Sequence, residues 1–161
     1  MARRFTAAVE QQLRDAGWNP DRKVQFMSPK VAKWAVFPAA ERVLREFHGL
    51  CIGENRPGKV WVTAVVNIDA EWIVDSDDKY IHLYESVLQS RLLLIGDVNR
   101  SNELLAIDEV GRIYAMPYDL VPVRAFAGSC DDAVERLLTG DDVDPALKPI
   151  QELLDPVCRI G

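Results

Sequence analysis

The sequence predicts an α+β fold, and two observations carry that reading. Between Leu92 and Phe126 four β-like runs follow one another with only short turns between them, the pattern of an antiparallel meander. On both sides of this block apolar residues recur at helical spacing. Strands bracketed by amphipathic helices predict helices packed on one face or at one end of the sheet.

Each element follows from its residues. Phe5, Ala8, Val9, Leu13 and Ala16 mark a first helix, and Gly17 stands just past its end, where a positive φ is wanted. Trp18 to Arg22 reads as a turn around Asn19-Pro20, and Lys23 to Met27 as a short strand. Ala40, Val43, Leu44 and Phe47 give a second helix, with Pro38 near its first turn and Gly49 beyond its end. Lys59 to Ile68 is rich in β-branched residues and apolar on both alternating faces, which predicts the central strand. Ser76, Asp77 and Asp78 cap and charge a helix whose apolar stripe is Tyr80, Ile81, Tyr84, Val87 and Leu88, with His82 on its polar side.

The β block divides into Leu92 to Gly96, Leu104 to Asp108, Arg112 to Met116 and Leu120 to Phe126, with Glu109-Val110-Gly111 as a hairpin turn. Ser129 caps a further helix carrying Asp131 and Asp132 in its first turn, Val134, Leu137 and Leu138 inward, and Gly140 as its stop. Pro145 to Leu154 predicts a last short helix that Pro149 interrupts.

With 161 residues, 48% hydrophobic and 27% charged, the chain has enough apolar material for one core, so a single domain over residues 1–161 is expected. The opening MARRFTAAVEQQL lacks an apolar signal core, and no segment approaches the roughly 20 apolar residues of a membrane span, which predicts a soluble cytoplasmic protein. Cys51, Cys130 and Cys158 are odd in number and without a CxxC, a usage that implies neither a disulfide framework nor a zinc knuckle.

Charge divides along the chain. Residues 1–60 hold 11 Lys/Arg against 6 Asp/Glu, and residues 61–161 hold 8 against 19. Nucleic-acid binding calls for a concentrated basic surface, whereas this acidic second part points to a cationic protein partner. Two acidic clusters stand out, Asp75, Asp77 and Asp78, then Asp141, Asp142 and Asp144. The first lacks the glycine and distal glutamate of a calcium loop, and both read first as capping or turn residues and second as contacts for a basic partner. Among the tryptophans, Trp18 and Trp61 read as core anchors, while Trp72, between Glu71 and Asp75, is the candidate aromatic contact within an acidic rim.

Material for catalysis is thin. His48 and His82 are the only histidines, and a Cys/His dyad of His48 and Cys51 is the one nucleophile arrangement available. There is no G-x-S-x-G elbow, phosphate loop or dinucleotide fingerprint, so neither enzyme activity nor a cofactor is expected.

Four pieces in order carry a resemblance: Ala16-Gly17-Trp18-x-Pro20-x-Arg22, Phe47-x-Gly49-Leu50, Ile107-Asp108-Glu109-x-Gly111-Arg112-x-Tyr114, and Gly128-Ser129-x-x-x-Ala133-x-x-x-Leu137-Leu138-x-Gly140. From about Leu13 to Gly140 the chain resembles the third subfamily of the SUKH superfamily of bacterial immunity proteins. Asp21, His48, Leu94 and Cys130 depart from the subfamily's usual residues at points that affect local turns and packing. The resemblance implies a curved, mostly antiparallel sheet packed by helices, and a role in polymorphic toxin systems, binding and neutralising the toxin of the same cell or its kin. It marks no catalytic residues. The function expected is therefore stoichiometric inhibition of a cognate toxin, a basic one such as a nuclease, with an intracellular regulatory or scaffolding module as the alternative. The contact residues expected are Trp72, Asp75, Asp77, Asp78, Asp141, Asp142 and Asp144.

Overall fold

A computed structural model describes residues 3–26, 36–53, 65–69, 79–99 and 103–159. Within these, the chain runs α1 (Ala7–Asp15), α2 (Pro38–Phe47), β1 (Leu50–Ile52), β2 (Val66–Ile68), α3 (Lys79–Leu88), β3 (Leu92–Val98), β4 (Glu103–Asp108), β5 (Ile113–Pro117), β6 (Arg124–Ala127), α4 (Cys130–Thr139), a 3-10 turn (Pro145–Leu147) and α5 (Lys148–Cys158). The six strands form one open antiparallel sheet in chain order, β1 to β6. This is the α+β architecture the sequence predicts.

Alternation along the strands builds two cores. Leu105, Ile107, Ile113 and Ala115 face one side, where they meet Val9 and Leu13 of α1, Leu44 and Phe47 of α2, and Val134 and Leu138 of α4. Leu104, Ala106, Tyr114 and Met116 face the other, against Ile81, Tyr84 and Leu88 of α3 and Leu154 and Val157 of α5. Helices therefore cover both faces, a correction to the expectation of one. The reason is legible in the strands: β3, β4 and β5 are apolar at consecutive positions, which only a sheet buried on both sides requires.

Other expectations change as well. β2 lies between β1 and β3, one place from the edge, and the centre of the sheet is β3 and β4. Of the predicted central strand only 65–68 falls among the described residues, and its Asn67 puts a polar side chain on the second face. Residues 23–26 form no strand, and a single backbone bond, Val24 N–H to the Arg45 carbonyl at 2.7 Å, ties them to α2. Residues 118–123 turn instead of extending, so β6 starts at Arg124. Pro149 does not interrupt a helix, because it sits in the first turn of α5, where its missing N–H has no intrahelical acceptor.

Two register shifts interrupt the ladders, one at Ile95 of β3 against β4 and one at Phe126 of β6 against β5, irregularities of the kind that bend a sheet. At the first, β3 runs so close to β2 that a Cβ on Gly96 would lie 2.0 Å from the Asn67 carbonyl oxygen, and only glycine fits.

Candidate partner-binding surface

Most of the motif residues hold the fold. In the hairpin between β4 and β5, buried Asp108 accepts from the N–H groups of Val110 and Arg112 at 3.1 and 2.9 Å, from Arg112 Nε at 2.6 Å and from the Tyr114 hydroxyl at 2.8 Å. Burial, and then the bond to Asp108, push the Tyr114 phenol well above its ordinary range. Gly111 takes φ +96°, which closes the turn. At the other end of the first core, Trp18 is 5% exposed, meets Phe5 edge to face at 5.6 Å and donates from Nε1 to Glu46 at 2.8 Å. Arg22 donates to the carbonyls of Glu46 and His48 and so ties off the end of α2. None of these side chains is free to hold a partner.

The predicted contact residues divide into two groups. Trp72, Asp75, Asp77 and Asp78 lie outside the described residues, as do Trp34, Trp61 and Ser76. Asp141, Asp142 and Asp144 follow α4, after Gly140 at φ +80°. Asp144 is half-buried and caps the 3-10 turn, accepting from Ala146 N–H at 2.9 Å, with Arg136 3.8 Å away. Arg136 also bonds Asp132 at 2.9 Å and the Asp142 carbonyl at 2.8 Å; the Asp132 bond foremost, with the charges of Asp132, Asp144 and Asp141, raises its guanidinium above the ordinary range. Asp141 and Asp142 are exposed; among the described residues their carboxylates accept from the Thr139 hydroxyl and Val143 N–H and make no direct ion pair, although Asp141 is near enough to Arg136 to act on its charge. Both carboxylates are exposed to solvent, Asp142 with no charged partner among the described residues.

The division of charge along the chain is not a division in space. Arg4 of the basic first part bonds Asp131 of the acidic second part at 2.6 Å and Glu46 at 2.6 Å. The Asp131 bond is the foremost cause that raises the Arg4 guanidinium further. Glu135 accepts from Thr6 N–H at 3.2 Å, so a carboxylate of α4 sits at the positive end of α1.

His48 and Cys51 are separated in role. Cys51 alternates with buried Leu50 and Ile52 and lies on the second face of β1 opposite Asn67. His48 Nδ1 is buried without a hydrogen-bond partner and faces Asp69 Oδ1 at 3.9 Å. Among the described residues no group of three or more His, Cys, Asp or Glu is arranged to hold a metal ion, and no helix is long and apolar enough to cross a membrane.

One exposed feature escapes the sequence reading. Four large apolar side chains stand out into water among the described residues: Tyr118 at 73%, Val110 at 70%, Leu153 at 51% and Leu83 at 41%. Tyr118 lies in the segment between β5 and β6, whose start the sequence reading leaves unassigned and whose residues from Leu120 onward it gives to a strand. The signal available was Pro117 and Pro122 flanking Asp119, a composition of turns and not of strands.

Against this geometry, the family model for the SUKH-3 immunity protein matches residues 5–140, from the start of the first helix through the stop of α4. Helix α5 lies beyond the match. No curated protein and no solved structure matches the chain.

Proposed function

The chain belongs to the SUKH-3 immunity protein family, and from that premise we propose that it binds a cognate toxin and neutralises it by forming a stoichiometric protein complex in the cytoplasm. The family match over residues 5–140 is the observation that carries this reading. The toxin is a basic protein such as a nuclease, whose substrate groove is cationic because it must receive phosphates. Asp141 and Asp142, exposed and without a direct ion pair among the described residues, are of the right sign to draw such a surface in, and Asp75, Asp77 and Asp78 add to the acidic character of the sequence. Trp72, which stands among Asp69, Glu71 and Asp75 in the sequence, is the aromatic contact of this reading, and Asp144 contributes less, because its carboxylate caps a turn beside Arg136.

The mechanism needs no chemistry from the inhibitor. A surface that docks over the toxin's groove excludes substrate by occupying its place, and potency follows from slow dissociation. The experiment is co-expression with the toxin encoded beside this gene, scored for survival of the cell and for co-purification. Survival with recovery of a complex supports the reading. Death of the cells despite soluble expression of both chains contradicts it and leaves a regulatory or scaffolding role in its place.

A further inference from the structure

We propose that the turn between β5 and β6, with Tyr118 at its tip, is an anchor by which this chain holds the toxin, seated in an apolar cleft with a cationic rim. The inference rests on the immunity reading and adds a surface that the acidic clusters do not include.

The first observation is backbone geometry. Leu120 adopts φ +68°, the left-handed region that a branched, non-glycine side chain avoids, and it does so where the chain must turn between two strands. Such a conformation persists only if its surroundings enforce it, and functional loops are where proteins keep it. Here the enforcement is visible. The Leu120 side chain is buried in the second core, its N–H donates to the Pro117 carbonyl at 2.8 Å, and its carbonyl accepts from the buried Tyr84 hydroxyl of α3 at 2.6 Å. The turn is thus fixed to the sheet and to a helix at one residue.

What this fixed turn presents is a largely exposed ring that makes no hydrogen bond or ring contact with another described residue. Tyr118 is 73% exposed, two residues before a leucine that is 6% exposed. An amphipathic ring with two side-chain torsions, carried on a backbone tied down at Leu120, loses little entropy on docking, which is one reason tyrosine is enriched at the energetic centres of protein interfaces. Asp119 beside it is exposed, and among the described residues its carboxylate meets only Val121 N–H at 3.5 Å, so the rim it offers is anionic. That charge disfavours phosphate-bearing ligands and favours a lysine or arginine surface. Two of the other exposed apolar side chains, Leu83 of α3 and Leu153 of α5, belong to the helices that cover this same face of the sheet. Val110 lies on the hairpin at the opposite end of β5 and serves as the internal control.

The test uses the full chain and the toxin encoded beside its gene, with association and dissociation rates measured on an immobilised toxin. Tyr118→Ala should keep the unfolding midpoint of the parent and speed dissociation by roughly tenfold or more, since losses at a central anchor appear in the off-rate. Tyr84→Phe keeps the buried ring but removes the bond to Leu120, and should speed dissociation by less while Tyr118 is still present. Asp119→Asn should slow association and weaken its salt dependence, and Val110→Ala should change neither rate. A parent chain that binds with a Tyr118→Ala variant indistinguishable from it overturns the anchor alone. Failure of the parent to bind overturns the immunity reading and the anchor together. Concentration-dependent self-association of the parent that Tyr118→Ala abolishes assigns the turn to a second copy of this chain and overturns its assignment to the toxin.

Discussion

At the scale of single residues the fold is held by a few polar groups placed where apolar packing alone would not choose a conformation. Trp18 both fills the first core and donates to Glu46, which in turn holds Arg4. Trp18→Ala should lower stability by about 3–5 kcal/mol, the usual range for emptying a large aromatic site, and a denaturant titration with an unchanged midpoint would contradict that placement. Tyr114 gives a pH signature. Its neutral form is the one the fold accepts, so its contribution is complete below the ordinary phenol range near pH 10 and is lost as pH rises through the elevated folded value. Tyr114→Phe should cost about 1–3 kcal/mol at neutral pH through the lost bond to Asp108, and should flatten the alkaline loss of stability measured by thermal melts.

At the scale of elements, an open sheet must protect its edges. β6 is closed by a side chain: the Gln151 amide of α5 accepts from Ala125 N–H at 2.8 Å and donates to the Val123 carbonyl at 3.1 Å, standing where a neighbouring strand would stand. Gln151→Ala should leave the Ala125 N–H without this acceptor and the Val123 carbonyl with only the weak Cys158 thiol donor at 4.0 Å, cost about 1–3 kcal/mol and speed hydrogen exchange at Ala125; exchange as slow as in the parent would show that α5 protects the edge without it. Elements of this kind test what a sequence can reveal. Helix ends marked by Gly17, Gly49, Ser129 and Gly140 were legible because caps and stops are local chemistry. The second layer of helices is signalled by the consecutive apolar residues in β3 to β5, but strand alternation alone does not say which helix covers which face. The turn at Tyr118 was missed because Leu120, Val121 and Val123 have strand-like side chains, and tertiary contacts to Tyr84 override that preference.

At the scale of the whole molecule, the candidate site was legible as a sign of charge more than as a place. Residue counts separate a basic first part from an acidic second part, yet Arg4 and Asp131 bring the two into contact, so the acidic surface is smaller than the counts imply. What is left exposed to solvent includes Asp141 and Asp142. Replacing both with asparagine should slow association with a basic toxin at low salt and matter less as salt screens charges over a Debye length of about 8 Å at physiological ionic strength; rates insensitive to both changes would reduce these aspartates to turn residues. Steering, however, is secondary to capture. The central claim is neutralisation by a stoichiometric complex, and it is tested most directly by titrating the purified toxin with this chain while following toxin activity. The account predicts that activity falls linearly to zero at a fixed molar ratio, with the heat of binding saturating at the same point. Toxin activity that persists in the presence of saturating chain would contradict it.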